Sequence, residues 1–276
     1  MELGVMVVIR EGTDFMEAFA HVRKAGFTRG QVSIMVHGIT AEEMRQIAIA
    51  AHYAKFHVDA VGCYLNPLRM DDNALSQADR TDWLTVVNNM SMMNGAERVV
   101  CWSGTLSRTM DAPNLLNSEP ETFSRVFMTL HSLLEQVRGL PVQIILEPFS
   151  THVLCDGRLC AQMAQKFPGG QVKVVLDAPN IIPAMDFGVR DQRVQEFVQQ
   201  AAPAVGLIHL TDLGRSADGQ RVLMPAGQGT LNYGAYLRAI VQYVPQVPVV
   251  IDKAHTVEDM VAARLFVEGQ LREYGL

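Results

Sequence analysis

Residues 142–180 read VQIILEPFSTHVLCDGRLCAQMAQKFPGGQVKVVLDAPN, two apolar runs of strand length, each ending in a carboxylate: Glu147 after QIIL and Asp177 after KVVL. The same construction recurs downstream in GLIHLTD, which carries His209 inside the run, and in PVVIDKAH, which ends in Asp252. Four successive strands thus present three carboxylates and one imidazole at the same end. A charge placed directly after a buried run is unfavourable unless a cation or hydrogen bonds hold it. Parallel neighbouring strands would bring the four groups together over one end of a sheet.

Working outward, further Val- and Ile-rich runs lie at Gly4–Ile9, Gln31–Val36, Val58–Cys63 and Arg98–Trp102, making eight with Val142–Leu146, Val172–Leu176, Gly206–Leu210 and Val249–Ile251. The intervening DFMEAFAHVRKAGF, AEEMRQIAIAAHYAKF and SRVFMTLHSLLEQVRGL space their apolar residues three and four apart, the helical period. Gly26 and Gly139 mark helix ends, and Thr256 with Asp259 reads as a capping pair for the last helix. Strand–helix alternation implies parallel pairing through right-handed crossovers. Eight units in one chain predict an α/β fold, a closed (β/α)8 TIM barrel, with residues 1–276 forming a single domain. Leu65–Asp82 and Ser103–Pro120 are the long connections, both on the face where barrel active sites lie.

Composition narrows the partners. The chain is 49% hydrophobic and 19% charged with a net charge of −6, which argues against a nucleic-acid partner held through phosphates. No apolar stretch approaches a membrane span, and the opening MELGVMVVIREGTD reads as a first strand without a basic leader. A cytoplasmic location is expected, and homo-oligomerisation is left open. Cys63, Cys101, Cys155 and Cys160 show no CxxC spacing and read as reduced core thiols.

Glu147, Asp177, His209 and Asp252 together form a candidate site for one divalent metal ion. Three oxygens and one nitrogen suit Mn²⁺ or Mg²⁺ first, then Co²⁺ or Zn²⁺. Around them, Asn180 could hydrogen-bond a substrate hydroxyl, and Asp212 could orient a ligand or hold Arg215. Arg215 could clamp an anionic or hydroxylated substrate, although DLGRSADGQ also reads as a solvated loop. Trp102 could stack on the apolar face of a sugar, and His37, ending the second strand, is a better pocket candidate than His57, which opens the third. Lys253 and His255 flank Asp252, but side-chain alternation turns Lys253 away from the barrel interior.

With these residues in place, the chain resembles the xylose isomerase-like TIM barrels, the sugar-phosphate isomerase/epimerase superfamily. The likeness runs from EAFAHVRKAGFTRGQVSI through GCYLNPL to LEP, LDAPN, HLTD and PAGQGTLNYGAYL, the last with the glycine pair Gly227 and Gly229. By resemblance, Glu147, Asp177, His209 and Asp252 hold the metal, and Glu147 and Asp252 are the catalytic acid–base pair. The resemblance implies a metal-dependent isomerase or epimerase acting on a carbohydrate or polyol: a sugar, sugar phosphate or keto-polyol. A dehydratase or lyase with the same metal site, or a barrel that has lost turnover, are the alternatives. An endonuclease-type branch on this barrel needs more histidine and a basic groove, which this chain lacks. Two departures stand out: Asp252 is one methylene shorter than the family's usual glutamate, and Asn180 stands where many members carry a histidine.

Overall fold

The computed structural model describes residues 1–69 and 74–276. Seven parallel strands follow one another around a ring: β1 (Leu3–Ile9), β2 (Arg29–Ile34), β3 (His57–Cys63), β4 (Arg98–Trp102), β5 (Gln143–Glu147), β6 (Val172–Leu176) and β7 (Val205–Arg215). The ring is completed by β9 (Val249–Ile251), which pairs in parallel with both β7 and β1. The result is the closed eight-stranded (β/α)8 barrel that strand–helix alternation predicts. β8 (Arg221–Pro225) stands outside it, pairing antiparallel with the overlong end of β7 from Thr211↔Pro225 to Arg215↔Arg221. The segment DLGRSADGQ is therefore half ribbon and half turn, not a loop throughout. Among the described residues, no helix is long and apolar enough to cross a membrane.

The helices α1 (Phe15–Lys24), α2 (Ala41–Tyr53), α3 (Ala74–Asn89), α4 (Pro120–Gln136), α5 (Gly157–Gln165), α6 (Arg190–Ala201), α7 (Tyr233–Tyr243) and α8 (Val257–Glu273) cover the outside. Their starts are written in short polar side chains. Thr40 and Glu43 close a reciprocal capping box on α2, and Thr256 accepts from the Asp259 amide at 3.0 Å on α8. Gly26 and Gly139 take positive φ just beyond α1 and α4, as expected of helix-ending residues. The connection expected over Leu65–Asp82 is shortened by α3, which starts at Ala74; Met70–Asn73 of it lie outside the described residues. The connection from Ser103 keeps its length up to Glu119, broken only by a 3-10 turn at Leu115–Ser118.

The core has two layers. The larger lies between strands and helices. The smaller fills the barrel interior with Met6, Ala60, Val100, Ile145, Val175, Leu207 and Val250. Because strand side chains alternate, the residue two positions after each of these faces the same interior, one storey higher. That upper storey is Val8, Gly62, Trp102, Glu147 and His209 on β1, β3, β4, β5 and β7, with Asp177 and Asp252 directly after β6 and β9. The apolar layer fixes the height of the polar one.

Beside β2 a bulge interrupts β3: consecutive Gly30 and Gln31 stand opposite Val58 and Ala60, which leaves Asp59 as the extra residue, while Gln31 and Ser33 lie buried on the inward row of β2. Gly30 sits at φ 154°, and a Cβ there would lie 1.9 Å from the Val5 carbonyl oxygen of β1. Only a residue without a side chain lets β1 and β2 approach at this point. Gly30→Ala is expected to cost about 3 kcal/mol or more, the range of severe backbone and packing substitutions. A fall in the urea midpoint checks it; an unchanged midpoint would show that β1 can shift without penalty.

Candidate metal centre and its surroundings

Glu147, Asp177 and His209 are buried, and one ligand atom from each lies within 4.8 Å of the other two. His209 Nδ1 is 3.9 Å from Glu147 Oε1. Buried oxygens and nitrogens are ordinarily hydrogen-bonded. Here Glu147 Oε2, Asp177 Oδ2, His209 Nδ1 and Asn180 Oδ1 are buried without a hydrogen-bond partner. All four can act as acceptors, and a cation would satisfy such a set where more acceptors could not. The donor set fits a divalent ion.

The other lone pairs are occupied in a way that orients these. His209 Nε2 lies 2.9 Å from the Gln31 side-chain oxygen, which only accepts, so Nε2 carries the hydrogen and Nδ1 keeps a lone pair toward the carboxylates. Gln31 is held in turn, its amide nitrogen donating to Ser33 Oγ at 2.9 Å and to Tyr64 Oη at 3.0 Å. Thr211 Oγ1 donates to Asp177 Oδ1 at 2.5 Å, and Asn180 Nδ2 donates to Glu147 Oε1 at 3.0 Å. Gln31, Ser33, Tyr64 and Thr211 escape a reading that looks only at strand ends. Their signal is the same alternation: polar residues on the inward row of otherwise apolar strands.

Crowding acids and an imidazole in a closed space shifts the protons of Asp177, His209 and Asp252. Burial, reinforced by the neighbouring Glu147 charge, pushes the Asp177 carboxyl up to about 7. Burial alone would discharge His209, but Glu147, Asp252 and Asp177 outweigh it and raise its pKa. Burial also opposes ionisation of Asp252, and Lys253 overrides it, holding that carboxyl below its ordinary value.

Asp252 is buried at the end of β9 but stands outside the close group of Glu147, Asp177 and His209. Its Oδ2 is 2.7 Å from Lys253 Nζ, and its Oδ1 accepts the Lys253 amide at 2.6 Å. Lys253 overturns the expectation that it points away from the interior. Its φ of 64° breaks the strand geometry on which alternation rests, and swings the side chain back over Asp252. A non-glycine residue at positive φ just beyond a strand is uncommon and costs energy.

The remaining candidates divide. Asn180 is fully buried, its Nδ2 donating to Glu147 and its Oδ1 without a partner. Trp102 stands beside Tyr64 and Phe149, with ring centroids 4.6 and 5.2 Å away, at the edge of a cavity of about 140 Å³ that also reaches Glu147, Asp252 and Lys253. His37 lies beyond the end of β2 rather than on it, largely exposed, 3.8 Å from the carboxylates of Asp79 and Asp82, and lines a cavity of about 190 Å³ together with Tyr64 and Trp102. His57 is at the opposite, lower end of the barrel. Arg215 is not brought to the centre. It ends the β7–β8 ribbon, exposed, with its guanidinium 4.3 Å from the Phe187 ring centroid and donating to the Gly219 carbonyl. Asp212 holds neither Arg215 nor a ligand position. Its two oxygens accept the backbone amides of Leu213, Gly227, Gly229 and Leu231, folding the PAGQGTL segment back onto β7.

A family model described as the xylose isomerase-like TIM barrel matches residues 8–253. The chain belongs to that family. No curated protein matches it in sequence. Among solved structures, an L-ribulose 3-epimerase is similar at 14% identity and TM-score 0.70, with 100% of this chain and 97% of that one covered. An Escherichia coli 3-keto-D-glucoside 4-epimerase in its apo form is similar at 13% identity and TM-score 0.68, covering 98% and 99%. A xylose isomerase-like TIM barrel protein from Mycobacterium smegmatis, in complex with magnesium, is similar at 11% identity and TM-score 0.70, covering 95% and 90%. At these identities the likeness is one of fold.

One outcome follows from the polar storey and another from the Asp212 cradle. Asp177 has a folded pKa of about 7 against an ordinary value of 3.8, so its contribution to metal-free stability is full below pH 4 and is lost as pH rises through 7. Asp177→Asn is therefore expected to raise the metal-free thermal midpoint at pH 8 relative to the parent and to change it little near pH 4. Mn²⁺ should raise the parent's midpoint at pH 8 and leave the variant's unmoved. Thermal scans over this pH range, with and without Mn²⁺, check both. Asp212→Ala strands four backbone amides and is expected to cost about 3 kcal/mol. Denaturant melts check it, and metal content of the refolded protein should stay unchanged.

Proposed function

We propose that this protein is a divalent-metal-dependent sugar isomerase or epimerase that moves a proton at a carbon next to a carbonyl. The observation that carries the reading is the buried set of unpartnered acceptors on Glu147, Asp177 and His209, next to a cavity lined by Glu147 and by a second carboxylate, Asp252. Epimerases acting on ribulose and on a 3-keto-glucoside use the same barrel, which supports the choice of reaction class. A magnesium complex of another member supports the choice of ion class, with Mg²⁺ or Mn²⁺ suited to these oxygen-rich donors.

Glu147, Asp177 and His209 would hold the cation, which when bound would polarise the substrate carbonyl and ease loss of the neighbouring proton. Glu147 is the base on this reading. Asn180 donates to its Oε1 and so fixes the orientation of the carboxylate. Asp252 is the partner acid–base group from β9, three places further around the ring from β5. Its Lys253 ion pair keeps it ionised, and so ready to accept a proton from the other face of the same carbon. Trp102, with Tyr64 and Phe149, supplies an apolar wall on which the C–H face of a sugar ring or chain can stack.

Incubating the Mn²⁺-loaded protein with ketoses and keto-polyols in D₂O, and following carbon-bound protons by NMR, tests the reading. Solvent deuterium is expected at the carbon beside the carbonyl, with Glu147→Gln slowing exchange by at least about 100-fold. Asp252→Asn should retain exchange from one face while losing inversion. Loss of water instead of exchange would indicate a lyase, and a protein that binds Mn²⁺ yet exchanges no carbonyl substrate would sink the proposal.

A further inference from the structure

The inward rows of the barrel do not stop at the polar storey. On β1 the row runs Met6, Val8 and then Arg10, all three against the cavity that reaches Glu147 and Asp252. Arg10 is exposed, and among the described residues its guanidinium has no ion-pair or hydrogen-bond partner; only its backbone is engaged, the amide donating to Thr13 Oγ1 and the carbonyl accepting from the Thr13 amide. Across the β1–β9 seam, where Val5 pairs with Ile251, Lys253 and His255 line the same cavity. The left-handed backbone at Lys253 is what carries its ammonium there. One ammonium hydrogen is directed to Asp252, an ammonium has three to give, and a third of the side chain is open to solvent. The opposite wall of the cavity is aromatic, with Tyr64, Trp102 and Phe149. In a chain of net charge −6, Arg10 and Lys253 match in number the two carboxylates, Glu147 and Asp252, that line the same cavity.

We propose that Arg10 and Lys253 form an anion subsite, so that the substrate carries a carboxylate or phosphate at the end remote from its reacting carbon. This deepens the epimerase reading and rests on that reading only in taking this cavity as the substrate pocket. Glu147, Asp177 and Asp252 repel an anion placed among them. The subsite is instead centred on the exposed Arg10 guanidinium, while Lys253, whose ammonium is 2.7 Å from Asp252, offsets that carboxylate and has further hydrogens to give. Guanidinium and ammonium groups bind carboxylate and phosphate oxygens through charge-assisted hydrogen bonds stronger than those any hydroxyl offers. A neutral ketose would leave Arg10 without a partner.

Titration calorimetry of the Mg²⁺-loaded protein with three six-carbon probes tests this: D-glucitol, D-gluconate and D-glucitol 6-phosphate. None has a ketone or aldehyde, so binding is read without turnover. At least one anion is expected to bind about tenfold tighter than glucitol or better. The tighter of the two identifies the carboxylate or the phosphate as the group recognised. Arg10→Met should remove most of that preference while leaving magnesium content and glucitol affinity unchanged, and Lys253→Met should weaken the same anion. Equal affinities for charged and neutral probes, no detectable binding of either anion, or a preference that survives Arg10→Met would each overturn the proposal. If no sugar undergoes exchange but the Arg10-dependent preference persists, the epimerase reading fails and the anion subsite stands.

Discussion

Three residues, Val249–Ile251, join the two ends of the sheet, and every convergence in this molecule depends on that junction. β9 hydrogen-bonds to β7 on one side, with His209 opposite Val250, and to β1 on the other, with Val5 opposite Ile251. Once the ring is closed, side chains on the inward rows have nowhere to go but toward one another. The apolar layer from Met6 to Val250 fills the lower interior, and the next inward residues must share the space above it. Neither alternation nor closure alone would gather Glu147, Asp177 and His209; an open sheet with the same sequence would hold them in a line.

The cost of that gathering is visible in the protons. Asp177 is pushed up to about 7 because burial and Glu147 act together, and His209 is raised because three carboxylates surround it. Without a cation, protons do the work of neutralisation. Lys253 performs a third version of the same task for Asp252, and does so from a backbone conformation that strand geometry does not supply. Each acid in the storey has its own means of being matched, which is why the four strand-end groups are not equivalent. Glu147, Asp177 and His209 retain unfilled acceptors, whereas Asp252 has a cation built into the chain beside it.

Much of this was legible beforehand. Period-two runs ending in Glu147, Asp177 and Asp252, with helical spacing between them, are local patterns, and local patterns survive folding. The helix caps at Thr40 and Thr256 are equally local. What could not be read were consequences of a single dihedral angle or of a partner distant in sequence. Lys253 looked outward because alternation assumes extended backbone. Arg215 looked like a clamp from its spacing to His209, yet the ribbon formed with β8 carries it away onto Phe187. Asp212 looked like a ligand neighbour, and became the acceptor for amides up to 19 positions further along.

The sequence by itself therefore determined the strand and helix alternation, the barrel it closes into, and the row of acids and histidine that ends its later strands, because each rests on spacing within a few residues. Tertiary structure alone decided which of those groups meet. It set Gln31 of β2 against His209 of β7, 178 positions apart, and Asn180 against Glu147, and it turned Lys253 back over Asp252. Those contacts depend on the register of eight strands around a closed ring and on one left-handed residue at its seam. No local pattern in the chain encodes either.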